Sequence, residues 1–336
     1  MDILNFKNPQ RTVLTKRGII DEKEISPGDI LYEYLTGNEL EVVDVKPVEF
    51  DKMCLIKYTD NREAIIADSE LVYSGKYLFY PIDIEKVELG NIYPTVLKFG
   101  SRIPMSNVDA YVGGALLTAG DLSSEYVTIE SARMADNNFD KMIGLYAAGD
   151  YGDYTAFKYK PTDEDCVKWE EYFPEFYVKE DMEIPLRYLM GSLNVRRRWL
   201  RGAFDFKYNM ELSPDEVTMS HKNVNVLKNV QKVLWSCGIL SYIVPEPNIP
   251  KNYRLIVIGT KAYSTEFFYN DDFVLNMLNS NINTSKLDPS FDLKIFDITI
   301  LNEELYTRGS FVPGFYIKDR KHALYLTGDF LPKVSL

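Results

Sequence analysis

Histidine and cysteine are scarce in this 336-residue chain, with two of the first and three of the second. His221 and His322 are too few for a His-rich metal site, and any imidazole-based proton transfer must pass through one of them. Cys54, Cys166 and Cys237 lie far apart and are odd in number, which excludes a disulfide framework and a Cys-x-x-Cys metal motif. Each is expected in a core. Long apolar runs are missing as well: no stretch reaches the roughly 18 uncharged residues of a membrane-span candidate. The opening Met1-Asp-Ile-Leu-Asn-Phe-Lys-Asn-Pro9 lacks the basic-then-apolar layout of a secretory signal. These absences predict a soluble, cytoplasmic protein without membrane contact. Positive charge is also in deficit, 38 Lys and Arg against 50 Asp and Glu, for a net charge of −12. That disfavours a general nucleic-acid coat, because Lys and Arg supply most non-specific affinity for phosphates.

What is present suffices for sizeable cores: 46% of residues are apolar, and the length suits two or three domains. The first hundred residues read as β structure. Arg11-Thr-Val-Leu-Thr15, Asp29-Ile-Leu-Tyr-Glu-Tyr-Leu35, Glu39-Leu-Glu-Val-Val-Asp-Val45, Met53-Cys-Leu-Ile-Lys-Tyr-Thr59 and Glu63 to Tyr73 are short β-prone runs. Turn signals separate them at Lys16-Arg17-Gly18, Pro27-Gly28-Asp29, Thr36-Gly37-Asn38 and Asp60-Asn61-Arg62. The last forty or so residues return to that style. Between them lie two small-residue segments, Asp109 to Gly120 and Val195 to Asp205, each followed by a β-like stretch and then an amphipathic helix. In the second copy that helix starts at Asn223, puts Val226, Val230, Val233 and Leu234 on one face, and stops before Gly238. The chain therefore reads as a β module interrupted by two copies of one helix-and-sheet unit.

These residues resemble an intein that carries a LAGLIDADG homing endonuclease. Thr12-Val-Leu-Thr-Lys-Arg-Gly-Ile-Ile20 with Glu24-Ile-Ser-Pro-Gly-Asp-Ile30 is similar to the opening of the Hint splicing fold. Tyr58 to Ala67 resembles its later hairpin, and Tyr316 to Leu331 its closing strands. In the centre, Tyr111-Val-Gly-Gly-Ala-Leu-Leu-Thr-Ala-Gly120 resembles the first LAGLIDADG helix. Ile184 to Asp205 resembles the lead into the second, and Ser220 to Ile239 the helix that follows it. The resemblance implies an α+β chain: an all-β Hint-like module formed by the two chain ends, around a central pseudo-twofold LAGLIDADG domain of two αββαββα-like units. The implied divisions are 1–100 and 291–336 for the Hint-like module, with 101–184 and 185–290 for the two repeats.

The resemblance also locates where chemistry should be. Each LAGLIDADG helix should end on a carboxylate, the two together holding divalent metal for phosphodiester hydrolysis. Ala119 and Lys207 stand at those positions. Asp121 and Asp205 are near, but displacement by one residue turns a helical side chain by about 100°. Splicing needs a His in a T-x-x-H element, where Glu70 stands, and a terminal His-Asn pair, where Val334 and Ser335 stand. No cofactor or metal is therefore expected, with Mg²⁺ required only if an endonuclease using Asp121 and Asp205 survives.

The charge pattern bears on partners. Residues 185–235 are net basic, and Arg196, Arg197, Arg198, Arg201, Lys207, Lys222, Lys228 and Lys232 are candidates to follow a DNA backbone. Residues 101–184 are strongly acidic, so a duplex across both copies would meet repulsion on one side. Such asymmetry suits a protein partner or self-association. The expectation is a degenerate intein and homing-endonuclease-like protein kept as a structural or protein-binding component, of the phage virion or assembly type. The alternatives are a residual endonuclease or nickase, and a DNA-binding accessory protein that does not cleave.

Overall fold

The computed structural model describes residues 11–90, 92, 107–121, 127–131, 146–150, 155–159, 184–205, 210–212, 216–247, 249–258, 293–302 and 311–336. The chain divides into two compact units. One combines residues 1–98 with 289–336; the other is 99–288.

The first unit begins as antiparallel hairpins. Strands β1 (Thr12–Thr15) and β2 (Gly18–Asp21) turn at Gly18, whose φ of +123° suits a residue without Cβ. Strand β3 (Ile30–Tyr32) pairs with β4 (Glu39–Glu49), and β5 (Met53–Tyr58) with β6 (Glu63–Ala67) around Asn61 at φ +66°. Burial alternates strictly along β5, as expected of a strand with one face on a core. The run from Glu63 to Tyr73 reads as one strand in the sequence, but it breaks after Ala67. There the Ala67 N–H donates to the Glu70 carboxylate at 2.8 Å and the Glu70 N–H returns to the Ala67 carbonyl at 3.0 Å. A short pair, β7 (Val72–Tyr73) and β8 (Leu78–Phe79), follows.

The second unit holds two helix-and-sheet sets. Helix α1 (Asn107–Ala119) leads into β9 (Gly120–Asp121), β10 (Val127–Ser131), β11 (Tyr146–Asp150) and β12 (Thr155–Tyr159). After a single turn, α2 (Leu186–Leu189), helix α3 (Leu193–Asp205) leads into β13 (Met210–Leu212) and β14 (Glu216–His221). Helix α4 (Val224–Ser236) comes next, capped by Asn223, whose side chain accepts from the Asn225 N–H at 2.9 Å. It ends before Gly238 at φ +76°, and β15 (Ser241–Pro245) and β16 (Tyr253–Ile258) close the set. The two antiparallel sheets share one topology. Their orders, β11-β12-β10-β9 and β13-β14-β16-β15, are the same arrangement of first, second, third and fourth strand read from opposite edges.

The helices that open the two sets pack on each other through matching residues. Both carry aromatic-x-x-Gly-Ala: Tyr111, Gly114 and Ala115 in α1, Trp199, Gly202 and Ala203 in α3. A Cβ on Gly114 would collide with the Trp199 carbonyl, and one on Gly202 with the Tyr111 carbonyl. Thr118 adds a hydrogen bond from its hydroxyl to the Ala203 carbonyl at 2.8 Å. Trp199, Leu200, Ala203 and Phe204 are buried on α3, and Ala110, Tyr111 and Ala115 on α1. Here glycine is required by backbone contact, since a methyl group at either site has no room to form.

The chain then returns to the first unit. Strand β17 (Ile295–Ile300) pairs with β5, and β18 (Phe311–Ile317) runs beside β4; β19 (Leu324–Leu326) and β20 (Pro332–Val334) form a hairpin. The resulting sheets have the orders β18-β4-β3-β1-β2 and β17-β5-β6. Their core mixes both ends of the chain: Val13, Leu31, Leu40 and Val42 pack with Phe315, Ile317 and Tyr325. Ile92 and Leu293, on either side of the second unit in sequence, are bridged with an N–H···O distance of 2.7 Å.

Overpacking at a tight contact costs about 1–3 kcal/mol and sometimes more. Gly114→Ala and Gly202→Ala are each expected to destabilise the protein by at least that amount in urea unfolding. Gly28→Ala, where the added methyl meets nothing within 4 Å but the backbone sits at φ +94°, should cost only about 1 kcal/mol.

Candidate functional site at the helix pair and a buried ionic cluster

Two places meet the sequence expectations. The first is the C-terminal end of the helix pair. Helix α1 ends on Ala119 and α3 on Asp205, while Lys207 lies outside the described residues. Asp121 is past the helix, in β9 opposite Thr128. When the two helices are aligned on their shared aromatic-x-x-Gly-Ala pattern, Asp205 falls opposite the buried Leu117 and Asp121 opposite Asn209. The two aspartates thus occupy different steps of the repeat, one helical and one extended. Among the described residues no group of three or more His, Cys, Asp or Glu is placed to hold a metal ion.

The basic segment of the second set is less exposed than its composition suggests. Arg196 departs from the DNA-contact expectation. It is 0% exposed and its guanidinium donates to the Ser236 carbonyl at the end of α4, so no phosphate can reach it. Burial pushes its pKa down. Arg197, Arg198, Arg201 and Lys232 are half-buried and Lys222 is exposed. The Lys228 ammonium is pushed below its usual range by partial burial and then by Lys232. Across the sheet of this set, Ser220, Arg254 and Val244 share one row. Arg254 is neutralised there by Glu246 at 2.7 Å, and Glu246 also accepts from Ser220 and Asn252.

The second place is in the first unit, where Arg11, Glu22, Glu70 and Lys333 form a buried cluster of two cations and two anions. Their side chains are 16%, 2%, 11% and 4% exposed. The Arg11 guanidinium donates to both Glu70 oxygens at 2.8 Å and lies 2.8 Å from Glu22. Lys333 Nζ lies 2.9 Å from Glu70 and also pairs with Glu22. Burial by itself would raise the Glu70 pKa. Lys333 and Arg11, together with N–H donation from Arg11 and Ala67, more than offset it and hold the carboxyl at about 2. Tyr325 packs nearby, its phenol raised well above the usual range by burial and by Glu22 and Glu70.

The other two expected positions are structural as well. Ser335 Oγ accepts from the Ala323 N–H at 2.8 Å, and Val334 is buried in β20. His322, in the turn before β19 at φ +56°, has its Nδ1 3.3 Å from the Ser335 carbonyl. A second buried pair, Asp60 with Arg62 at 2.8 Å, fixes the β19–β20 loop. Arg62 donates to the Asp329 and Phe330 carbonyls at 3.0 and 3.2 Å, and Phe330 is held at φ +58°, a left-handed conformation uncommon for a bulky residue.

No family model matches the chain, and no curated protein matches it. It is similar to the solved structure of I-DmoI in complex with DNA and Mn, at 13% identity over 52% of this chain and 98% of that one, with a TM-score of 0.34. It is similar as well to the N-terminal LAGLIDADG domain of DUF199/WhiA, at 13% identity over 49% of this chain and 84% of that one, TM-score 0.34. Full-length DUF199/WhiA from Thermatoga maritima matches at 12% identity over 55% of this chain and 65% of that one, TM-score 0.35.

Sequence reasoning singled out Glu70, Val334 and Ser335 but missed Arg11, Glu22, Lys333, Asp60 and Arg62. One signal was available: Lys333 is a lone charge within the otherwise apolar run Phe330-Leu-Pro-Lys-Val334. A charge there must either flip to solvent or find a buried anion. Removing one member of a buried pair leaves the other uncompensated and costs about 3–5 kcal/mol. Glu70→Gln is expected to lose stability of that order in urea unfolding at neutral pH. Because the folded pKa of Glu70 lies below its ordinary 4.5, its contribution is complete above that value and is lost as pH falls toward about 2. Acid unfolding curves should therefore show a steeper loss between those pH values in the native protein than in Glu70→Gln.

Proposed function

We propose that this chain is a scaffold built on Hint-like and LAGLIDADG-like units, without splicing or nuclease chemistry, that acts by binding another macromolecule. A protein partner or a second copy is favoured over DNA. The observation that carries this reading is the state of Glu70. At the position where the resemblance calls for the splicing histidine, this carboxylate is bound through both oxygens by Arg11, paired with Lys333 and capped by a backbone N–H. With a pKa of about 2 it is a poor proton acceptor near neutral pH.

Further support comes from the helix pair. Reciprocal Gly114 and Gly202 contacts and the shared strand order favour two related halves, yet the helix-end acid position carries Ala119 in the first. Asp121 and Asp205 stand at different steps of the repeat, which disfavours a matched pair of metal-holding acids with Mg²⁺. The burial of Arg196 and the neutralisation of Arg254 by Glu246 remove charge that a duplex would need.

Expression of the chain between unrelated flanking sequences should yield only the intact precursor by mass spectrometry, and plasmid DNA in Mg²⁺ or Mn²⁺ should remain uncut. Release of a 38.8 kDa product would overturn the loss of splicing. Cleavage abolished by Asp121→Asn or Asp205→Asn would establish an endonuclease instead. Salt-sensitive DNA binding without cleavage, lost in Arg197→Ala/Arg198→Ala, would establish the accessory reading.

A further inference from the structure

Strand β17 is the outer strand of the three-stranded sheet β17-β5-β6, and among the described residues its far edge has no strand partner. Edges of this kind are usually short, charged, proline-bearing or covered. This one presents Phe296 at 75% exposure and Ile300 at 53%, with Ile298 half-buried between them; its register against β5 shifts between Ile295 and Asp297, so Phe296 sits at a β-bulge. Phe296 is the most exposed large apolar side chain among the described residues.

The backbone shows which groups are available. Leu301 N–H donates to the Met53 carbonyl at 2.8 Å, and Thr299 and Asp297 stand opposite Leu55 and Lys57. By the alternation of an antiparallel ladder, the N–H and C=O of Ile298 and Ile300 then face away from β5. An antiparallel partner must set outward-facing residues against outward-facing residues.

The sequence of this edge is a palindrome in chemical type. Ile295-Phe-Asp-Ile-Thr-Ile-Leu301 reads apolar, apolar, polar, apolar, polar, apolar, apolar from either end, with Ile298 at the centre. We propose that β17 is a self-association edge, pairing antiparallel with β17 of a second copy about a two-fold axis at Ile298. This inference rests on the binding reading above and names the partner as a second copy. In that register Ile298 opposes the second copy's Ile298 and Asp297 opposes its Thr299, both within the regular stretch of the strand, while the bulged Phe296 lies toward the second copy's Ile300. No like charges meet, and Thr299, which already donates to Asp297 at 2.8 Å, provides a hydroxyl for the facing carboxylate. A register in which Asp297 faces Asp297 would bring two carboxylates together, which is unfavourable. A two-fold interface of this type is closed: it makes a dimer and leaves no growing edge.

The full chain is tested by light scattering coupled to gel filtration. A mass twice the 38.8 kDa chain is expected, with Ile298→Lys returning it to a single chain by setting two lysines against each other. Cysteine scanning then reads the register with the fold intact. Directly paired residues have Cα atoms about 5.5 Å apart at a hydrogen-bonded site, within disulfide reach. Mild oxidation should give a covalent dimer for Ile298→Cys, none above the native background for Ile300→Cys alone, and a dimer again when Asp297→Cys and Thr299→Cys proteins are mixed. A native protein that stays a single chain, or one that dimerises with Ile300→Cys linking as well as Ile298→Cys, overturns the proposal. Neither result bears on splicing or DNA cleavage, so the absence of a dimer and the presence of a catalytic activity remain separable outcomes.

Discussion

Four buried charges tie the beginning of the first unit to its end. Arg11 precedes β1, Lys333 lies in β20, and Glu22 and Glu70 stand between them, so the two carboxylates are balanced by two cations only when β20 is in place. Each charge alone would be expensive to bury; together they are neutral and nearly every oxygen and N–H has a partner. The sheets around them obey the same requirement, since β17 and β18 from the far end complete layers begun by β5 and β4. The first unit is thus a single cooperative object made from two distant stretches of chain.

The second unit depends on a different constraint, the closeness of two helix backbones. Glycine at Gly114 and Gly202 lets carbonyls of the opposing helix come as near as van der Waals contact allows, and the aromatic residues that flank them fill the space on either side. Such a contact demands small residues at fixed places and is indifferent to charge at the helix ends. Ala119 at the end of α1 therefore leaves the contact intact.

Legibility in the sequence followed the range of the interaction. Turn residues at Gly18, Asn61 and Gly238, the alternation along β5 and the apolar face of α4 are local signals, and each element formed near where those signals placed it. The paired glycines were legible because the pattern recurs. Arg196 was not: an arginine among other arginines on an amphipathic helix reads as surface, and only the position of Ser236 at the end of another helix explains its burial. The ionic cluster was illegible for the same reason, with partners separated by most of the chain and no spacing rule linking Arg11 to Lys333. The resemblance sets Glu70 where a splicing histidine is expected, while its partners in the structure, Arg11 and Lys333, carry no motif.

The bridge between Ile92 and Leu293 places the exit from the first unit's opening strands beside the return to its closing ones. During synthesis, β4 and β5 emerge long before the strands that will flank them, and they must wait with open edges while the whole second unit is made. The second unit then acts as one very long connection, and closing a flexible connection of that length is entropically unfavourable. Folding order is thereby constrained by the topology: β17 and β18 can complete their sheets only after the whole second unit has been synthesised.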